Sequence, residues 1–374
     1  MNLALLSSAA SIHTIRWANG LSEAGVQVHL ISQQPLPERL HPGVKCYFFP
    51  HRGVPGYVTM VPGVRTLLRQ LQPDLVNAHY ASGYGTTARL VNYRPWLLSV
   101  WGSDVYSFPH KSPLHRWVVT KNLGAADAVA STSHCMAAQA SSLATQLADI
   151  AITPFGVDMP VFIDAAKAAS GTARQGLTIG TVKSLKPVYG IDTLIRTFAL
   201  LRQSLQACDP ATVQSLRLRI VGGGPQQAEL AQLAKTLGVE QVTDFVGQVP
   251  HSQVPHELAQ LDIYVALSRS ESFGVAAIEA GAMSLPVVVS DVGGLPEVVV
   301  HEKTGLVVPA DDPAAAAYAL QRLVQDVTLR QRLGRAGQLH VEHNYGWPAC
   351  VQSMIKVYEK TIENHKKISS KAFF

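Results

Sequence analysis

Ile263-Tyr-Val-Ala-Leu-Ser-Arg-Ser-Glu271-Ser-Phe-Gly-Val-Ala-Ala-Ile-Glu279-Ala-Gly281 is the stretch that decides how this chain is built. Its first four residues are apolar and partly β-branched, as a short buried strand requires. A polar loop follows, and the small apolar residues from about Phe273 read as a helix, with Ser270, Glu271 or Ser272 available to cap it. Strand, short loop and helix together form the repeating unit of a parallel sheet with crossover helices.

The same unit recurs along the chain. In the first half, strands are expected at Asn2–Leu6, Val26–Ile31, Leu75–Ala78, Trp96–Val100, Ala128–Thr132 and Ile150–Thr153. A second series runs Leu177–Val182, Leu218–Val221, Val242–Val246, Ile263–Ala266, Val287–Ser290 and Gly305–Val308. Six strands make one doubly wound unit, so the chain is read as two Rossmann-like domains in tandem, residues 1–160 and 161–346. A polar, small-residue stretch, Phe162–Gly176, is the expected linker. A last helix, about Trp347–Asn364 within the terminal segment 347–374, is expected to pack back on the first domain, with a frayed tail.

Bulk properties narrow the class. The 374 residues are 47% hydrophobic and 15% charged, ordinary for a globular protein. No apolar run nears the about 20 residues that cross a bilayer, and the apolar start lacks the basic region of a signal peptide. The four cysteines are scattered with no CxxC pair, which points to buried thiols in a reducing, cytoplasmic setting. Residues 1–155 carry 11 Lys/Arg against 6 Asp/Glu, and residues 156–374 carry 20 against 20. The basic excess therefore lies in the first domain, where it would attract anionic lipid or a phosphorylated acceptor, or serve solubility alone. The segment Phe108–Lys121, with Arg52–Tyr57, Arg65 and Arg69, reads equally as a membrane-resting surface or a solvated basic face.

Ligands of open parallel sheets bind where strands end. After Ile263–Ala266, the amides of Phe273, Gly274 and Val275 would sit at the positive end of a helix, a natural phosphate site. Glu279 lies four residues after Val275 and seven after Ser272, set back on the same face, where it suits the vicinal hydroxyls of a ribose. Glu271, on the loop, could meet sugar hydroxyls. Lys183, just after Leu177–Val182, and Lys186 beyond it can neutralise a diphosphate without a metal. Val221-Gly-Gly-Gly-Pro225 lacks the third glycine of a dinucleotide fingerprint. His79, in His79-Tyr-Ala-Ser-Gly-Tyr-Gly85, is a candidate proton relay, and Asp104 and Trp101 lie at another strand end.

Glu271-Ser-Phe-Gly-x4-Glu279 resembles the E-x7-E motif of retaining glycosyltransferases of family 4, in the GT-B superfamily. Thr243-Asp-Phe-Val-Gly247, Pro286-Val-Val-Val-Ser-Asp291-Val-Gly-Gly-Leu-Pro-Glu297, Thr304-Gly-Leu-Val-Val-Pro309 and Ile152-Thr-Pro-Phe-Gly156-Val-Asp158 resemble that family too, so the likeness spans nearly the whole chain. It implies an α/β GT-B architecture, two facing Rossmann-like domains with parallel sheets and an interdomain cleft. It implies that Gly247 and Val249 lie near a uracil ring. Three departures stand out. The family's second basic residue falls on Val188, with Lys186 the only substitute nearby. Its usual histidine is Trp101, and its Gly-Gly first loop is Ser7-Ser-Ala-Ala-Ser11.

The reading is a retaining, metal-independent glycosyltransferase without a cofactor. It would move a sugar from a nucleoside-diphosphate donor, UDP-linked by expectation, to a glycan or lipid-diphosphate-linked acceptor in cell-surface polysaccharide synthesis. Catalytic roles are expected for Glu271, Lys183 and His79. Donor binding is expected from Lys186, Gly247, Val249, Ser272, Phe273, Gly274, Val275 and Glu279. The setting is cytoplasmic, at the inner membrane face, with no nucleic-acid partner and no metal site. The alternatives are a degenerate sugar-nucleotide-binding subunit and a sugar-nucleotide epimerase.

Overall fold

Buried β-branched and leucine-rich runs, each followed by an amphipathic helix, leave the chain little choice but parallel pairing. A computed structural model describes residues 1–35, 40–51, 53–147, 149–169 and 176–371. These form two units. One comprises Met1–Phe155 with the segment from Trp347 onward, and the other Gly156–Gly346.

The first unit holds a seven-stranded sheet of β1 (Asn2–Leu6), β2 (Gln27–Ser32), β3 (Val44–Phe48), β4 (Leu75–His79), β5 (Trp96–Val100), β6 (Ala128–Ser131) and β7 (Ile150–Ile152). Its order is β3-β2-β1-β4-β5-β6-β7, all parallel. The sequence pattern missed β3. It is an edge strand with one buried residue, Val44, while Lys45 and Phe48 are exposed, so it lacks the doubly buried run of the central strands. Of the expected membrane-resting surface, Arg52 lies outside the described residues.

The second unit holds β8 (Thr178–Val182), β9 (Arg217–Val221), β10 (Thr243–Gly247), β11 (Ile263–Ala266), β12 (Val287–Ser290) and β13 (Leu306–Val308). Its order is β10-β9-β8-β11-β12-β13, again all parallel. Leu194, Ile195, Phe198 and Leu201, on the helix Ile191–Gln206, pack on the strands with Leu320 and Leu323 of the helix Pro313–Gln325.

Three boundaries differ from those expected. The division falls at Phe155/Gly156, not after residue 160, and much of the expected linker is the helix Met159–Ala169. Met159 and Phe162 are buried, and the helix packs on Val254–Leu258 and Val275–Ala282, so this stretch is a packed element. The remainder of that stretch, 170–175, lies outside the described residues. The final helix continues to Lys371 without the frayed tail expected beyond Asn364. Cys350, Val351, Met354, Tyr358 and Thr361 form its buried stripe. Trp347 packs against Trp17 with ring centroids 5.0 Å apart, and the helix lies on Ile12–Glu23 of the first unit.

Candidate active site

In each sheet the chain leaves one central pair of neighbouring strands in opposite directions, which opens a crevice at their carboxyl ends. In the second unit that pair is β8 and β11. Lys183 is the first residue after β8, and Glu271 lies on the loop after β11. Their side chains meet, Lys183 Nζ to Glu271 Oε2 at 2.6 Å, with only 14% and 12% of each exposed. Burial acts to lower the lysine's pKa, but the Glu271 carboxylate outweighs it and holds the ammonium above its ordinary value. The Tyr189 ring, 4.7 Å from Nζ, adds a cation–π contact. The two predicted groups thus neutralise one another.

The loop carrying Glu271 is fixed from several sides. Arg269 pairs with Asp192 at 2.8 Å and Asp311 at 2.8 Å, and also donates to the Pro187 carbonyl, which ties the loops after β8 and β11 together. Sequence reading gave Arg269 no role, because its partners lie far along the chain in both directions. The helix opens at Val275, two residues later than expected. Its N-cap is Gly274 at φ +110°. A β-carbon at Gly274 would also press on Leu295 and Val298, so this position suits glycine twice over. The first-turn amides have no preceding helical carbonyl to bond, and the bare backbone of Gly274 leaves them approachable. Phe273 contributes only backbone here, since its ring is buried edge-on against Tyr345.

Glu279 lies on the same helix and is buried, with Oε1 3.3 Å from Nε2 of the half-exposed His251. His251 was not legible beforehand: it follows β10, and no local spacing links it to a carboxylate 28 residues on. Beside Lys183, a recess of about 270 Å³ is lined by Lys183, Ser184, Gly222, Gly223, Gln248 and Val249. The glycine-rich turn is required there, because a β-carbon at Gly222 (φ +144°) would lie 1.9 Å from the Lys183 carbonyl. Gly247 ends β10 at φ +84°, where the register shifts and the chain turns toward Val249 at the recess. Lys186 and Val188 are both exposed on the loop beyond Lys183, so Lys186 is not drawn into the buried pair.

The equivalent crevice of the first unit lies between β1 and β4. There the structure places His79, the expected proton relay, inside the unit. The residue is 1% exposed, and both ring nitrogens have protein partners. Asn77 donates its Nδ2 to Leu97 O and Ser99 Oγ, so its Oδ1 can only accept, from Tyr358 at 3.0 Å and from His79 Nε2 at 3.0 Å. Nε2 thus donates, and in the neutral ring that burial favours, Nδ1 accepts from Ser7 Oγ at 2.9 Å. Burial, with a smaller contribution from His13, pushes its pKa down to about 3. Asp104 is likewise buried and accepts from the amides of Ala81, Trp101 and Gly102. Burial raises its pKa against those amides. Trp101 lies on His79 with centroids 4.0 Å apart and is flanked by Tyr80 and Phe155, a packed cluster with 7% of the tryptophan exposed. Among the described residues no cluster of His, Cys, Asp or Glu is arranged to hold a metal ion.

These two doubly wound parallel sheets are the Rossmann-like units of a GT-B fold, and the comparisons give the class of enzyme. The family model for glycosyl transferases group 1 matches residues 162–340, and that for glycosyl transferase 4-like proteins matches residues 2–133. The chain belongs to this family of glycosyltransferases. A D-inositol 3-phosphate glycosyltransferase of Pseudarthrobacter chlorophenolicus is 28% identical over 93% of this chain and 89% of its own length. One of the same name from Jonesia denitrificans is 36% identical, over 55% of this chain and 50% of its own. Among solved structures, sucrose-phosphate synthase of Thermosynechococcus elongatus superposes with a TM-score of 0.82 at 22% identity, covering 97% of this chain and all of that one. Anabaena HepE, solved in complex with UDP and glucose, gives 0.76 at 18% identity over 96% and 99% of the two chains.

Proposed function

We propose that this glycosyltransferase retains anomeric configuration and takes its sugar from a nucleoside-diphosphate donor, UDP-linked, without a metal. The observation that carries this is the buried Lys183–Glu271 pair beside the helix start at Gly274. Lys183 and the amides of Gly274 and Val275 offer the diphosphate a cation and a helix terminus. Glu279, with His251 behind it, offers a carboxylate to the ribose diol, and the recess lined by Gln248 and Val249 has room for the base. Glu271, released from Lys183 as the diphosphate takes the lysine, is then free to accept from sugar hydroxyls.

The bond from the anomeric carbon to the diphosphate oxygen breaks, and the acceptor oxygen bonds to that carbon on the same face. The acceptor's proton passes to the departing diphosphate, whose charge Lys183 and the helix start stabilise. The acceptor is a hydroxyl of a glycan or lipid-linked unit of a cell-surface polysaccharide, met at the inner membrane face. A phosphorylated polyol is the second reading: relatives named for D-inositol 3-phosphate favour it, and the basic first unit suits its phosphate.

Incubation of UDP-sugars with each acceptor class tests both, with UDP release measured and product stereochemistry read by NMR. Glu271→Ala and Lys183→Ala should abolish release while leaving the protein folded. Wild-type protein that binds a UDP-sugar yet never turns one over would overturn the reading, and an inverted product would overturn its stereochemical part.

A further inference from the structure

In the first unit, the helix Gly53–Thr59 and the helix Pro113–Leu123 flank a recess of about 230 Å³ that is apolar almost throughout. Tyr57, Phe108 and Val118 form its inner wall. Val54, Val58 and Leu114 stand at its rim, 76%, 52% and 66% exposed, with Trp117 one helical turn on from Leu114 and half exposed. Isolated exposed apolar residues need no explanation, but three around one apolar recess, with Trp117 a helical turn away, form an apolar patch.

The charge around it has one sign. Residues 107–123 contain no aspartate or glutamate, nor do residues 53–72. His110, Lys111, Arg116 and Lys121 are all exposed, and Arg89 lies 5.9 Å from the Trp117 ring. Apolar side chains between cations, with a tryptophan at their boundary, match the layering of an anionic bilayer, where headgroup phosphates lie over hydrocarbon. An anionic phospholipid meets both features at once, its phosphate the cations and its acyl chain the apolar recess.

We propose that the first unit docks on an anionic phospholipid bilayer through these two helices, with the rim residues entering the interface and an acyl chain occupying the recess. No helix among the described residues is long and apolar enough to cross a membrane, so the attachment is peripheral. This deepens the membrane-face part of the proposed function and is independent of the donor chemistry.

Sedimentation of the full chain with phosphatidylglycerol or phosphatidylcholine vesicles tests it, together with Trp117 fluorescence read against Trp117→Phe. The expected result is binding to phosphatidylglycerol that weakens about tenfold or more between roughly 0.05 and 0.5 M salt, little binding to phosphatidylcholine, and a blue shift lost in Trp117→Phe. Leu114→Glu, at an exposed position that should not disturb folding, is expected to reduce partitioning at least tenfold. Lys111→Glu with Arg116→Glu should do the same, and both variants should keep wild-type UDP affinity and thermal midpoint. Protein that stays in the supernatant with phosphatidylglycerol, or Leu114→Glu that partitions like wild type, overturns the proposal. So does self-association through this face without vesicle binding. Failure of the transferase assay alongside intact vesicle binding would strike the donor chemistry and not this surface.

Discussion

Glu271→Gln isolates the competition between a carboxylate and a diphosphate for Lys183. At 2.6 Å and an effective dielectric of about 20, the direct attraction is about 6 kcal/mol, most of it offset by the cost of drying both groups. Removing one partner of a fully buried pair costs about 3–5 kcal/mol. Here each side chain keeps some water and Tyr189 retains the ammonium, so about 2 kcal/mol is the better figure. The thermal midpoint should therefore fall by roughly 4–8 °C in a unit of this size. Binding of sugar-free UDP should move the other way. The wild-type lysine must leave Glu271 before it serves the diphosphate, and the glutamine variant has no such competitor, so affinity should rise about 10- to 30-fold, the equivalent of up to 2 kcal/mol. Transfer should nonetheless fall about 10- to 100-fold in kcat/KM, because the charge-assisted bond to the sugar is lost. Titration calorimetry with UDP, differential scanning and a UDP-release assay read the three quantities. UDP affinity that is unchanged or weaker in a folded Glu271→Gln protein refutes the competition.

Glu279→Gln should weaken donor binding by about 10- to 100-fold, the loss of a charge-assisted hydrogen bond, with a smaller loss for His251→Ala, whose ring only supports the carboxylate. His79 gives a pH signature. Its folded pKa of about 3 lies below the ordinary 6.5, so the stability it contributes is complete above about pH 6.5 and is lost as pH falls toward 3, by about 3 kcal/mol at pH 4.5. Urea midpoints at pH 7.0 and 4.5 should separate less in His79→Gln than in wild type, and equal separations would contradict the buried neutral ring. Gly274→Ala forces a left-handed φ and a contact with Leu295 and Val298, so about 1–3 kcal/mol of stability and much of the UDP affinity should go, as measured by unfolding and calorimetry. Gly20→Ala would place a methyl 2.6 Å from the Trp347 indole nitrogen and should lower stability by about 1–3 kcal/mol, mainly by loosening the final helix.

Much of this was local enough to read. The central strands β1, β5, β11 and β12 fall on the residues their apolar runs indicated, because a strand buried on both faces declares itself in consecutive side chains. The edge strand β3 did not, because half of it faces water. The helix Met159–Ala169 was mistaken for a linker because alanines and a lysine look alike in both settings, and only burial of Met159 and Phe162 separates them. At the site, the sequence singled out Glu271, Lys183, Gly274 and Glu279, which the structure places at the loops and helix after β8 and β11, while their contacts were not legible. Arg269 and His251 escaped because each acquires its meaning from a partner that the chain brings back from far away.

The sequence by itself determined that strands and helices alternate, that two such series follow one another, and that an acidic motif opens a helix after a central strand. Those are properties of residues within one turn or one strand of each other. The tertiary structure alone decided the order of strands in each sheet, and with it that β8 and β11 are neighbours, so that Lys183 and Glu271, 88 positions apart, share a charge. It also decided that His79, polar and at a strand end, would be sealed behind Trp101 between Ser7 and Asn77, where burial favours the neutral ring. Burial and pairing depend on what packs from elsewhere in the chain, and no window of sequence contains that information.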